Sequence, residues 1–230
     1  MKIRALMIDI DGTLLDFRQS EVLGISAIME HYDVTPTPEL AAHYHDVNQS
    51  FWQKYENGEI TRAQINEGRY PAFFGELGVE VDPDVCEEIY QSFVNNRLVP
   101  VDGALDMLRS LAGKYLLYAA SNGYSVKQRD RLRKAGMISY FNDIFVSEET
   151  GSQKPQKEFF DYCFARMPSD LKRDEVMILG DGLTSDMKGG NNAGIHTCWL
   201  NACGETNTAG VSIDREVHSL KEFCEFLQNL

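Results

Sequence analysis

The strongest constraint on this chain is an apolar run at residues 3–10 that ends in the acids Asp9 and Asp11 and then in Gly12. Apolar residues without a regular polar alternation fit a strand buried on both faces, as in a parallel sheet, and not the half-exposed strand of a hairpin. Similar short runs recur at residues 115–120, 144–147, 176–179 and 195–200, and a segment of helical character separates each from the next. Strand alternating with helix predicts an α/β fold, a doubly wound parallel sheet with helices on both faces. Right-handed crossovers then bring the C-terminal ends of the strands to one edge, where open α/β sheets bind ligands.

Residues 16–99 break that alternation. Amphipathic stretches at 21–31, 38–58, 61–77 and 83–96 predict helices, with Thr61 and Gln64 spaced as a capping box and Pro83 after Asp82 suited to a helix start. The expectation is a helical insert, 16–99, joined by two short crossings to a core made of 1–15 and 100–230.

Charge and cysteine usage narrow the possible partners. Among 230 residues, 22 Lys and Arg face 35 Asp and Glu, a net charge of −13 with His neutral. Such a balance repels nucleic-acid phosphates and anionic lipid heads, and no basic run overrides it. No apolar stretch approaches the ~18 residues of a membrane span. The five cysteines, Cys86, Cys163, Cys198, Cys203 and Cys224, are scattered with no C-x-x-C pair. That argues against a disulfide framework or zinc site and for a reducing cytoplasm. His43 and His45 form a close pair, but they have no neighbouring ligand at metal spacing.

Four short motifs fall where predicted strands end. Asp9-Ile10-Asp11-Gly12-Thr13 pairs two carboxylates at i and i+2 before a turn-permitting glycine. Alone, it could be a turn whose Asp side chains satisfy loop N–H groups. Ser121-Asn122-Gly123 leads towards a helix starting near Ser125, an arrangement that suits a phosphate or serves merely as a cap. Lys154-Pro155 follows the third strand of the alternation, and there the fixed proline backbone distinguishes the lysine from an ordinary solvated charge. In Gly180-Asp181-Gly182-Leu183-Thr184-Ser185-Asp186, Asp181 occupies the place where a dinucleotide pyrophosphate would need bare N–H groups. A Walker A loop is absent. Together the loops gather Asp9, Asp11, Asp181 and Asp186 on one sheet edge. Close like charges raise one another's pKa, so the cluster calls for a cation. Hard oxygen ligands select Mg²⁺, which in turn favours a phosphate-bearing substrate.

In this order and spacing, D-x-D-G-T, S-N-G, K-P and G-D-x-x-x-x-D resemble the haloacid-dehalogenase (HAD) superfamily of phosphohydrolases. The resemblance spans the whole chain and implies a Rossmann-like HAD core with an inserted α-helical C1 cap domain. Val47-Asn48, Trp52, Tyr55, Asn57-Gly58, Ile60-Thr61 and Gly68-Arg69, with Ser147-Glu148-Glu149 and Cys198-Trp199-Leu200-Asn201, look like the YjjG-type branch of pyrimidine 5′-nucleotidases. By that resemblance Asp9 is the nucleophile, forming an aspartyl-phosphate, and Asp11 the general acid and then base. Ser121, the Asn122 N–H and Lys154 hold the phosphoryl oxygens. Mg²⁺ falls to Asp9, the Asp11 carbonyl, Asp181 and Asp186, the last directly or through water. Gly182 departs from the Ser or Thr of many relatives, which puts one hydrogen bond in doubt and not the reaction. Dehalogenases resemble D-x-Y-G-T at the first motif, so Asp11 favours phosphate-ester hydrolysis over halide displacement.

The expected partner is therefore a small phosphorylated metabolite, a pyrimidine nucleoside 5′-monophosphate on the narrower resemblance, and neither a nucleic-acid polymer nor a membrane. Alternatives are a sugar-phosphate or phosphoglycolate-type phosphatase and, in another class, a catalytically idle protein that binds a phosphorylated ligand or a protein partner. Specificity is expected in the insert. There Trp52, Tyr55 and Tyr44 could stack on a base or simply form core. Arg69 could meet a phosphate or ribose, or pair with Glu67 or Glu76. The sequence leaves the oligomeric state open.

Overall fold

Six strands form one sheet in the order β3-β2-β1-β4-β5-β6, every neighbouring pair parallel, in a computed structural model that describes residues 2–230. The strands are β1 Ala5–Ile8, β2 Leu116–Ser121, β3 Asp143–Val146, β4 Val176–Gly180, β5 His196–Leu200 and β6 Arg215–Val217. The five apolar runs correspond to β1–β5. Arg215-Glu216-Val217 carries no such run, because an edge strand of three residues buries only Val217.

Between β2 and β4, β1 is fully enclosed, and Ala5, Leu6, Met7 and Ile8 are all inaccessible to solvent. Side chains alternate across the sheet with period two. On one face Ala5 and Met7 join Tyr118, Ala120, Val176 and Ile178 in a core that includes Phe159, Phe160 and Cys163. Leu6 and Ile8, pointing the other way, are buried as completely, so helices must cover both faces. The register pairs Ile8 with Ala119 on β2 and with Leu179 on β4. Asp9 continues that ladder through its N–H to the Leu179 carbonyl at 2.9 Å. The ends of β1, β2 and β4 are thereby level, and the residues that follow them share one edge.

The chain divides into two compact units. One joins the segment up to Asp16 to Val99–Leu230, and the other is Phe17–Leu98. In the sheet unit the two crossing segments lie side by side, with the Asp16 N–H on the Val99 carbonyl (2.7 Å) and the Val101 N–H on the Leu14 carbonyl (3.0 Å).

The helical unit comprises α1 Phe17–His31, α2 Pro38–Glu56, α3 Arg62–Glu76 and α4 Pro83–Val94. Its starts follow local chemistry. Thr37 accepts from the Leu40 N–H, Thr61 and Gln64 complete a reciprocal capping box, and Asp82 caps α4 ahead of Pro83. Ile25, Ile28, Tyr44, Tyr70, Phe73, Phe74 and Tyr90 form its core. Tyr44 thus packs inside the bundle and is not a free stacking surface. Tyr55 is also buried, and the Arg62 guanidinium lies 4.2 Å from the centroid of the Trp52 ring. Arg69 pairs with neither Glu67 nor Glu76. It is buried, reaching Glu87 at 2.5 Å, Asn48 Oδ1 at 2.8 Å and the Tyr70 hydroxyl at 2.7 Å, whereas Glu76 meets His43. The sequence could not choose among these acids because Glu87 lies on α4 and meets Arg69 only once α3 and α4 pack.

The remaining helices belong to the sheet unit: α5 Ala104–Leu111, α6 Ser125–Lys134, α7 Ser147–Thr150, α8 Lys157–Phe164, α9 Lys188–Ala193 and α10 Leu220–Gln228. A π-helical turn, Leu183–Met187, links β4 to α9. Among the described residues, no helix is long and apolar enough to cross a membrane.

Candidate active site

Lys154 organises the sheet edge. Its side chain is buried and its three ammonium protons are all placed, on Asp9 Oδ1 (2.6 Å), Asp186 Oδ1 (2.7 Å) and the Ala120 carbonyl at the end of β2 (2.7 Å). Asn122 locks the lysine backbone from across the crevice, accepting the Lys154 N–H on Oδ1 at 2.8 Å and donating Nδ2 to the Lys154 carbonyl at 2.9 Å. The peptide bond from Lys154 to Pro155 is cis. Ser121-Asn122 and Lys154-Pro155, far apart in sequence, are thus one hydrogen-bonded assembly.

The loop after β4 supplies the facing carboxylates. Asp186 is buried, its Oδ2 receiving the Gly182 N–H at 3.1 Å. It lies so close to Gly180 and Gly182 that a Cβ on either would fall inside van der Waals contact with it. Gly182, the departure noted in the sequence, makes room for the Ser185 hydroxyl first and for Asp186 beside it. Asp181 takes the Thr13 hydroxyl on Oδ1 at 3.3 Å, and its carbonyl accepts the Trp199 indole N–H from β5 at 2.9 Å. Gly12, at φ +88°, passes against the Asp181 carboxylate where no Cβ fits.

Asp9, Asp181 and Asp186 each offer one oxygen within 4.8 Å of the others. Burial drives the Asp9 carboxyl well above the usual carboxylate range, Asp186, Asp181 and Asp11 add to the rise, and Lys154 opposes it. Asp181 has an exposed side chain, yet the protein packed around its carboxylate and the charge of Asp186 push it up to about 7. Burial alone would lower Lys154, but Asp186 and Asp9 hold it above an ordinary lysine. Fully ionised, the three carboxylates would outnumber the one ammonium by two negative charges, and the raised Asp9 and Asp181 carboxyls show what holding them without a cation costs. A divalent cation fits that deficit, and an all-oxygen donor set fits Mg²⁺.

Asp11 is set differently. Its carboxylate turns to α6, where Gln128 Nε2 donates to Oδ2 at 2.6 Å and Arg131 Nη1 stands 2.6 Å from Oδ1. It does not join the group of three oxygens. Ser121 Oγ accepts from the Gly123 N–H (3.1 Å) and from Gln128 Nε2 (2.8 Å). At the start of α6 the Ser125 N–H is already taken, by Glu148 Oε2 at 2.8 Å. Sequence reasoning missed Gln128 and Arg131. The only available signal was their i, i+3 spacing on one helix face, which is common to many surface helices. Trp199 was visible as part of a resemblance but not as the anchor of the Asp181 backbone.

A model of the haloacid dehalogenase-like hydrolases matches residues 3–194. The chain belongs to that family. This hydrolase is 38% identical to YfnB of Bacillus subtilis (strain 168), over 97% of its own length and 95% of the relative's. It is 34% identical to the pyrimidine 5′-nucleotidase YjjG of Escherichia coli (strain K12), over 99% of both chains. The crystal structure of the orthorhombic, magnesium-bound form of YfnB superposes with a TM-score of 0.90 at 37% identity, covering 99% of each chain.

Proposed function

We propose that this hydrolase is a Mg²⁺-dependent phosphomonoesterase that works through an aspartyl-phosphate on Asp9, with pyrimidine nucleoside 5′-monophosphates as substrates. The observation that carries the reading is the convergence of Asp9, Asp181 and Asp186 around a two-charge deficit, with a second aspartate, Asp11, two residues beyond the first. Asp9 and Asp181, with Asp186 directly or through water, would hold the cation, which when bound offsets negative charge on the nucleophile and on the phosphoryl group.

The chain's own residues supply the remaining steps. Asp9 attacks phosphorus and forms the acyl phosphate while the P–O bond to the alcohol breaks, and Asp11 gives its proton to the departing oxygen. Asp11, now ionised, takes a proton from the water that attacks phosphorus, releasing inorganic phosphate and regenerating Asp9. Lys154 favours the charged form of Asp9 against its burial and neutralises part of the growing oxyanion charge, and the Ser121 hydroxyl and Asn122 N–H hold phosphoryl oxygens. The nucleotide preference draws support from the likeness to YjjG, which carries that activity in its name over the full length of both chains.

The test is phosphate release from a panel of nucleoside monophosphates, sugar phosphates and phosphoglycolate, each with Mg²⁺ and with EDTA. The expected outcome is Mg²⁺-dependent turnover with the highest kcat/KM on UMP, dUMP or dTMP. A preference for sugar phosphates or phosphoglycolate would keep the reaction and remove the nucleotide assignment. No turnover on any ester would remove both and revive the idle, ligand-binding alternative.

A further inference from the structure

Gln128 makes hydrogen bonds to both Asp11 and Ser121. Arg131 Nη1 donates to Gln128 Oε1 at 2.8 Å, and a guanidinium has no acceptor atom, so the amide oxygen must face the arginine. The amide Nε2 is therefore turned to the strand ends, where its two protons go to Asp11 Oδ2 (2.6 Å) and Ser121 Oγ (2.8 Å). Gln128 and Arg131 are both buried, which makes these contacts hard to exchange for water. Ser121 Oγ also accepts from the Gly123 N–H, so both of its lone pairs are used and its own proton is left to donate. Asp11 Oδ1 has no aligned donor, the Arg131 approach being an ion pair out of hydrogen-bond line.

We propose that Gln128, oriented by Arg131, is a positioning residue that sets two reacting groups at once, the Ser121 hydroxyl as a donor to the phosphoryl group and the protonated Asp11 carboxyl group for proton transfer to the leaving alcohol. The inference rests on the phosphomonoesterase reading above and adds residues to its acid–base step. A side chain that positions the acid matters most when the leaving oxygen needs a proton, and less when it does not. A residue with a merely structural role would slow both kinds of substrate alike.

The experiment compares kcat and KM for an alkyl phosphate and for p-nitrophenyl phosphate, whose phenolate departs without protonation, in the wild type, Asp11→Ala, Gln128→Met and the double variant, all with Mg²⁺. Gln128→Met keeps length and removes the donors. The expected result is a fall in kcat/KM, which reports the steps up to departure of the alcohol, of about tenfold or more on the alkyl ester and a distinctly smaller one on the p-nitrophenyl ester. In the Asp11→Ala background the added substitution should slow the alkyl ester no more than the p-nitrophenyl ester, because the share that runs through Asp11 is already lost and only the share through Ser121 remains. Should the methionine lower the melting temperature, Gln128→Leu, which likewise lacks the donors and adds no charge beside Asp11, is read in the same way. Equal losses on both esters, or none, alongside a clear leaving-group dependence in Asp11→Ala, would overturn the role of Gln128 and leave the phosphatase reading standing. A wild type that hydrolyses neither ester, or an Asp11→Ala variant whose kcat/KM falls equally on both, would remove the acid–base reading and this inference with it.

Discussion

Gly12 and Asp181 show how tightly single residues constrain this site. At φ +88° an L side chain is strained, and a Cβ at Gly12 would also intrude on the Asp181 carboxylate. Gly12→Ala is therefore expected to cost about 1–2 kcal/mol in stability. It should also displace Asp181, and a chemical melt together with a Mg²⁺ titration of activity would register both effects. Asp9, Asp11, Lys154, Asp181 and Asp186 could be picked out in the sequence because acids and a lysine beside glycine and proline at strand ends are chemically unusual. Which partner each takes could not be read. The three bonds of the Lys154 ammonium, the bracket formed by Asn122, and the hold of Gln128 on Asp11 join residues 32 to 145 positions apart. Such contacts depend on sheet order, which no local pattern encodes.

At the scale of elements, legibility follows the strength of local signals. Proline and capping residues mark the starts of α2, α3 and α4, and the apolar runs mark β1 to β5, because those signals act within a few residues. The edge strand β6 escapes because two of its three residues are exposed and polar, and only pairing with β5 makes it a strand. The first N–H of α6 depends likewise on a residue outside its own turn, Glu148, a partner that the residues at the helix start do not reveal. Thr61 offers a local test. Its hydroxyl accepts the Gln64 N–H and its own N–H is received by Gln64 Oε1 at 2.8 Å, so Thr61→Ala should lower the stability of the helical unit by about 1 kcal/mol. Equilibrium denaturation monitored in that unit would measure the loss, and Thr61→Ser should recover most of it.

Across the whole molecule, the alternation of strands and helices and its interruption are both consequences of hydrophobic patterning. The sheet unit buries residues at period two, and the helical unit has a separate core of its own around Tyr44, Tyr70, Phe73 and Tyr90. With a net charge of −13, the protein gathers part of its excess acid in the Asp9, Asp181 and Asp186 cluster, where an unpaired charge is costly. A bound divalent cation should therefore stabilise the fold as well as enable turnover. At about a hundred times its dissociation constant, Mg²⁺ should add about 2.7 kcal/mol. The melting temperature should rise with Mg²⁺ in the wild type and barely move in Asp181→Asn. An equal rise in both would place the ion elsewhere.

The most direct test of the central claim is phosphate release from UMP by the wild type and by Asp9→Asn, each with Mg²⁺ and with EDTA. The account predicts turnover by the wild type with Mg²⁺ and none with chelator. It predicts no turnover by a folded Asp9→Asn under either condition. Chelator-resistant hydrolysis, or an Asp9→Asn variant that retains much of the wild-type rate, would contradict it.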